Sequence, residues 1–128
     1  MPVTMIDSAV GTPPGRPYSQ AVRKGTILAI SGQTPLDANG QVVGEGDARA
    51  QTRCVLDRIT QLLADAGAEL SDVIKVTVYL ADFADFAAVN EVYADVFTAP
   101  RPARSTVACG LVRPEFLVEI DALAVLDS

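Results

Sequence analysis

The sequence predicts an α+β domain: a sheet with two helices packed on one side. Three patterns predict it. Apolar residues recur every three or four positions in two long stretches, short β-branched runs lie between and after them, and glycine or proline marks the junctions. The 128 residues form a single domain, 1–128, because no repeat, low-complexity tract or change of composition divides them.

Gly11–Pro17 is the one Pro/Gly cluster near the start and reads as a lead-in loop. The run 26–31, Thr-Ile-Leu-Ala-Ile-Ser, is a buried strand ended by Gly32. Asn39-Gly40 is a turn signal, and Gly44 and Gly46 extend that loop. Asp47 caps a helix that runs to about Ala66, with Cys54, Leu56, Ile59, Leu62, Leu63 and Ala66 as its apolar stripe and Gly67 just beyond its end. A strand follows over 72–80, in which Ile74, Val76, Val78 and Leu80 alternate with Lys75, Thr77 and Tyr79. Asp82 caps a second helix with the stripe Phe86, Val89, Tyr93, Val96 and Phe97, and Pro100 and Pro102 stop it. Two strands remain, over 103–108 and 116–126. In the last, Val118, Ile120, Ala122 and Ala124 face one way, and Glu119 and Asp121 face the other with Leu117 and Val125.

Composition removes whole classes of function. The chain has no histidine, so His-based triads and imidazole metal sites are excluded. Ten Lys+Arg against 16 Asp+Glu leave a net charge of −6, which phosphate backbones repel; no nucleic-acid partner is expected. No apolar run approaches membrane-spanning length and Met1–Met5 lacks the order of a secretion signal, so no membrane partner and a cytoplasmic location are expected. Mean hydropathy is +0.27 although 20% of residues are charged, and such surplus apolar surface is most simply hidden in an oligomer. Cys54 and Cys109 make no disulfide framework. Cys54 reads as inert core, and Cys109 lacks a histidine to activate it.

Without histidine, acid–base chemistry near neutral pH falls to carboxylates. Glu119 lies mid-strand in the most hydrophobic segment, where a carboxylate is costly unless a cation or a donor meets it; the alternative is a charge on a solvated sheet face. Arg101 and Arg104 flank small residues at a strand start, a setting for a guanidinium that grips a carboxylate or for a surface ion pair. Tyr18-Ser19-Gln20 and Ser31-Gly32-Gln33 offer orienting hydroxyls and amides, or turn caps.

Five motifs then occur in order: Arg16-Pro17-Tyr18-Ser19-Gln20-Ala21, Ser31-Gly32-Gln33, Val89-Asn90-Glu91-Val92-Tyr93, Pro102-Ala103-Arg104-Ser105 and Val118-Glu119-Ile120-Asp121-Ala122. With them the chain, from about residue 8 to 126, closely resembles the Rid (reactive intermediate deaminase), or YjgF, family. The resemblance implies a chorismate-mutase-like α+β fold with a mixed sheet, assembled as a barrel-like homotrimer with clefts between subunits. It implies hydrolysis of enamines and imines such as 2-aminoacrylate, 2-iminopropanoate and 2-iminobutanoate to 2-oxo acids and ammonia, with no cofactor. Arg104 would bind the substrate carboxylate and Glu119 would activate water. Tyr18, Ser31, Thr106 and Asn90 would line the site. Arg104 and Glu119 of one subunit would meet the Tyr18 and Ser31 segments of the next. Two positions depart from the family pattern: Thr106 stands where archetypal members have cysteine, and Arg16 where glycine is usual. They would suit a larger imine or enamine in a specialised pathway; alternatively, Arg16 points to solvent. A non-catalytic, chaperone-like trimer that binds small carboxylates is the rival reading, and it leaves Glu119 without a task.

Overall fold

The computed structural model describes residues 2–6 and 15–127. Six strands form one sheet: β1 (Thr4–Ile6), β2 (Ala21–Lys24), β3 (Ile27–Gln33), β4 (Val73–Leu80), β5 (Ala103–Ala108) and β6 (Val118–Val125). Their order is β1-β2-β3-β6-β4-β5. Only β4 and β5 pair in parallel, so the sheet is mixed. Helix α1 (Ala48–Asp65) links β3 to β4, and α2 (Phe86–Val96) links β4 to β5. Both links join strands that run in the same direction and both step the same way across the sheet. The right-handedness of such crossovers therefore puts both helices on one face. Side-chain burial agrees. Val76, Val78 and Leu80 of β4 share one core with Val118, Ile120, Ala122 and Ala124 of β6 and with Val55, Ile59, Val89 and Tyr93 of the helices. Among the described residues, the other face carries no helix.

Local signals explain the elements. The Asp47 carboxylate accepts from the Ala50 amide at 3.1 Å to cap α1, and Gly67 beyond its end adopts φ +78°. At the 36–43 loop, Asp37 accepts from the amides of Asn39 and Gln41, and Gly40 takes φ +76°.

Four expectations need correction. The strands β1 and β2 were not anticipated; they are short, and the Gly11–Pro17 lead-in falls partly on residues 11–14, outside the described residues. Ile74 is 50% exposed rather than inward-facing, because Val73 and Lys75 oppose the consecutive residues Ala124 and Leu123, so Ile74 is the extra residue of a bulge and Val73 turns inward instead. Asp82 caps a single 3-10 turn, Phe83–Asp85, and α2 itself begins at Phe86. Cys54 is half-buried at the flank of α1, where Gln51, Thr52, Val55 and Arg58 complete the buried face. Burial pushes its thiol up, away from thiolate, and its Sγ lies 3.8 Å from the Leu36 carbonyl oxygen.

Candidate active site

Edge strand β5 supplies the cation. Parallel pairing sets Arg104 beside Val76 and Thr106 beside Val78, so both side chains rise on the helix-covered face. There the Arg104 guanidinium carbon lies 4.6 Å from the Tyr93 ring centroid and 5.8 Å from that of Phe86. A guanidinium over aromatic faces gains about 0.5–2 kcal/mol and keeps its N–H edges free to point outward. Asn90, Thr106, Val78 and Val89 complete a shallow cleft around it. Arg101 is not part of this grip. Its guanidinium donates to the carbonyls of Phe97 (2.7 Å) and Ala94 (3.3 Å) and closes the end of α2.

Strand β6 supplies the carboxylate, on the opposite side. Glu119 pairs with Tyr79 of β4, between the inward-facing Val118 and Ile120, and so projects from the helix-free face. The β3–β6 register breaks between Ile30 and Gln33, and Gly32 in that break faces the Glu119 carboxyl group. A Cβ at Gly32 would stand 2.9 Å from Glu119 Cδ, so the glycine is what makes room for the carboxylate. Half-burial raises the Glu119 carboxyl above the usual carboxylate range, and the charge of Asp121 two residues on raises it further. Among the described residues, no cation offsets this.

Ser31 and the Tyr18 segment belong to this second group. The Ser31 hydroxyl donates to the Ser19 carbonyl oxygen at 2.7 Å, and the Ser31 amide donates to Gln20 O at 2.8 Å. Buried Gln33 donates through Nε2 to Ser31 O at 2.9 Å. Tyr18 is 58% exposed, with the Arg16 guanidinium 5.5 Å from its ring centroid.

The expected residues thus form two groups within one chain. Arg104, Thr106 and Asn90 share the helix-covered face; Glu119 and Ser31 share the other side, and Tyr18 lies next in sequence to Ser19, whose carbonyl Ser31 binds. The expectation that Arg104 and Glu119 stand together in one subunit and face the Ser31 segment of the next is corrected: within one chain Glu119 stands with Ser31 and Gly32, and the sheet separates it from Arg104. Cys109 lies just beyond β5, exposed. Sequence reasoning also missed three residues. Gln51 is fully buried and joins three segments, donating to Gly44 O (3.3 Å) and Glu115 O (2.9 Å) and accepting from the Leu117 amide (2.8 Å). Arg58, 7% exposed, donates to the carbonyls of Thr34 and Leu36. Tyr79 donates to Asp121 beside Glu119. Polar residues at stripe spacing in α1 were the available signal for the first two.

No group of three or more His, Cys, Asp or Glu side chains among the described residues is placed to hold a metal ion, and no helix among them is long and apolar enough to cross a membrane.

Known proteins show the same arrangement of sequence and fold. The family model described as Endoribonuclease L-PSP matches residues 10–126. The chain is 45% identical, over 97% of its length and 98% of the relative's, to 3-aminoacrylate deaminase RutC of Acinetobacter baylyi. It superposes on RidA of an Antarctic Psychrobacter with a TM-score of 0.87 at 33% identity, covering 96% of this chain and 99% of that one. On Escherichia coli TdcF with bound serine the TM-score is 0.86 at 32% identity, covering 95% and 98%. With the family model spanning most of the chain and relatives of this similarity at nearly full length, the chain belongs to the Rid family, which the names YjgF and RutC also denote.

Proposed function

We propose that this protein is a hydrolytic deaminase of reactive enamine and imine intermediates that carry a carboxylate, working as a homotrimer whose clefts each take residues from two subunits. The observation that carries this reading is the split of Arg104 and Glu119 between the two faces of one sheet. Neither group alone completes a site. A neighbouring copy that brings its Glu119 face against the Arg104 edge of the first would supply both. The mean hydropathy of +0.27 and the helix-free sheet face are consistent with such a partner.

In the assembled cleft the Arg104 fork binds the substrate carboxylate through two N–H···O bonds, with Asn90 and Thr106 beside it. Glu119 of the neighbour, ionised, accepts a proton from water as the oxygen bonds to the C=N carbon and the C=N pair moves onto nitrogen. The proton passes to that nitrogen. The resulting carbinolamine expels ammonia as its hydroxyl becomes the carbonyl of the oxo acid. General acid–base help of this kind contributes about 10²–10⁴-fold. The raised Glu119 carboxyl suits the task, since a group that both takes and returns a proton works best with a pKa nearer the operating pH. Activity should therefore rise with pH through a midpoint above the usual carboxylate range.

Two substrate geometries fit an arginine plus a water-activating carboxylate. In 2-aminoacrylate and the 2-imino acids the nitrogen-bearing carbon adjoins the carboxylate; in 3-aminoacrylate it lies one carbon further. We favour the 2-imino acids. The name of the Acinetobacter relative favours the second geometry, and Thr106 and Arg16 are the residues positioned to adapt the cleft to a different substrate. RNA cleavage, which the family description names, is disfavoured by the net charge of −6 and by the pairing of Arg49, Arg53 and Arg113 with Glu91, Asp95 and Glu115. The test is oxo-acid release by the purified protein from 2-iminopropanoate, 2-iminobutanoate, 3-aminoacrylate and larger imino acids. Acceleration of one or more supports the proposal, and the preferred member names the geometry. Spontaneous rates throughout would overturn it.

A further inference from the structure

Tyr79 and Asp121 lie on the same helix-free face as Glu119 and are given no part in the mechanism above. The strand register places Tyr79 directly opposite Glu119, and Thr77 opposite Asp121. The Tyr79 phenol nevertheless reaches diagonally across the face and donates to Asp121 Oδ2 at 2.8 Å. Diagonal neighbours on a sheet face are within reach of long aromatic side chains, so the geometry needs no distortion. Its consequence is specific. Two carboxylates separated by one residue on the same strand face repel each other, and either would relieve the repulsion by turning outward or by taking a proton. The phenolic O–H anchors the Asp121 carboxylate next to Glu119.

We infer that Tyr79 is a positioning residue for Glu119, acting through Asp121: the phenol–carboxylate bond fixes a second carboxylate beside the water-activating one. The inference rests on the proposed role of Glu119. Among the described residues, the groups placed around Glu119 are consistent with it. From β4 come Tyr79 and, further along, Lys75, whose Nζ is engaged with Ser105 Oγ at 2.8 Å. From β3 come Gly32 and Ser31, which bring no charge. From β6 itself comes Asp121. Burial and the Asp121 charge both act on Glu119 in the same direction, upward. The Tyr79 hydroxyl is held up in turn, chiefly by its bond to Asp121, so it remains a donor throughout the working pH range.

Removing the charge and removing the anchor should act alike, to different extents. Asp121→Asn deletes the anion. Tyr79→Phe leaves that carboxylate but frees it to swing away. The experiment follows the side-chain carboxyl signals of the full-length protein by carbon NMR across pH 3–9, with Glu119→Gln identifying the Glu119 signal, and records kcat/KM over the same range for each active variant. The expected result is a lower Glu119 midpoint in Asp121→Asn, a smaller fall in the same direction in Tyr79→Phe, and an acid limb of kcat/KM that moves with it. A purely structural tyrosine would lower activity at every pH and leave the midpoint unmoved, and that result in the folded variants would overturn the inference. If Asp121→Asn fails to fold, Tyr79→Phe alone decides, since it removes one oxygen and keeps the ring. A midpoint that falls while the acid limb stays fixed would uphold the positioning pair and instead refute Glu119 as the base.

Discussion

On the helix-covered face of the sheet, Arg104 lies over Tyr93 and Phe86 with Thr106 and Asn90 beside it. On the helix-free face, Glu119 stands against Gly32 with Asp121 and Tyr79 next to it. The cation is held by the faces of aromatic rings that offer it no carboxylate; the anion is crowded by a second anion. A chain that folded for its own stability would bring such charges together. Neither group meets an opposite charge on its own face, which is the arrangement the proposed shared site needs.

That comparison is broken most severely from the anionic side. Glu119→Gln keeps the size of the side chain but removes its ability to accept a proton, and should lower kcat by about 10²–10⁴-fold while circular dichroism and solution mass stay unchanged; retention of near-normal turnover would assign the water activation elsewhere. From the cationic side the effect is smaller. Arg104→Lys retains the charge but loses the two-pronged match to a carboxylate, so kcat/KM should drop by at least about tenfold, mostly through KM. A fully active lysine variant would reduce Arg104 to a surface charge.

How much of this was legible in the sequence differs between the same two faces. The α1 cap at Asp47, the breaks at Gly67 and Pro100, and the alternation of β6 were readable because each depends on neighbours in sequence. The outward direction of Glu119 was readable for the same reason. The side on which Arg104 lies was not, because it follows from the parallel register with Val76, and register is a property of two strands. Alternation in β4 was misread at Ile74 because a bulge inserts one residue, and no residue type announces it. The short β2 gains its stability from pairing with β1 and β3, beyond what four residues can signal.

Gln51 carries the comparison from catalysis to stability. It sits under the covered face, yet its amide ties α1 to Glu115 O and Leu117 N, the run-in to the strand that carries Glu119. Gln51→Leu fills the space but leaves those backbone groups buried without partners, at a cost of about 1–3 kcal/mol for each buried group left unpaired. Urea denaturation should show a lower midpoint with little change in slope; an unchanged midpoint would mean that water replaces the amide there.

The central claim is that one working cleft takes Arg104 from one subunit and Glu119 from another, and co-assembly tests it directly. Arg104→Ala and Glu119→Gln chains, each inactive alone, are unfolded together in equal amounts, refolded, and assayed after mixed assemblies are verified by native mass spectrometry. In a closed ring each cleft draws its arginine side and its carboxylate side from different chains, so about a quarter of the clefts combine two intact sides. The account predicts recovery of roughly that fraction of wild-type activity. Verified mixed assemblies with no recovered activity would contradict it, and would mean that both residues act from the same chain.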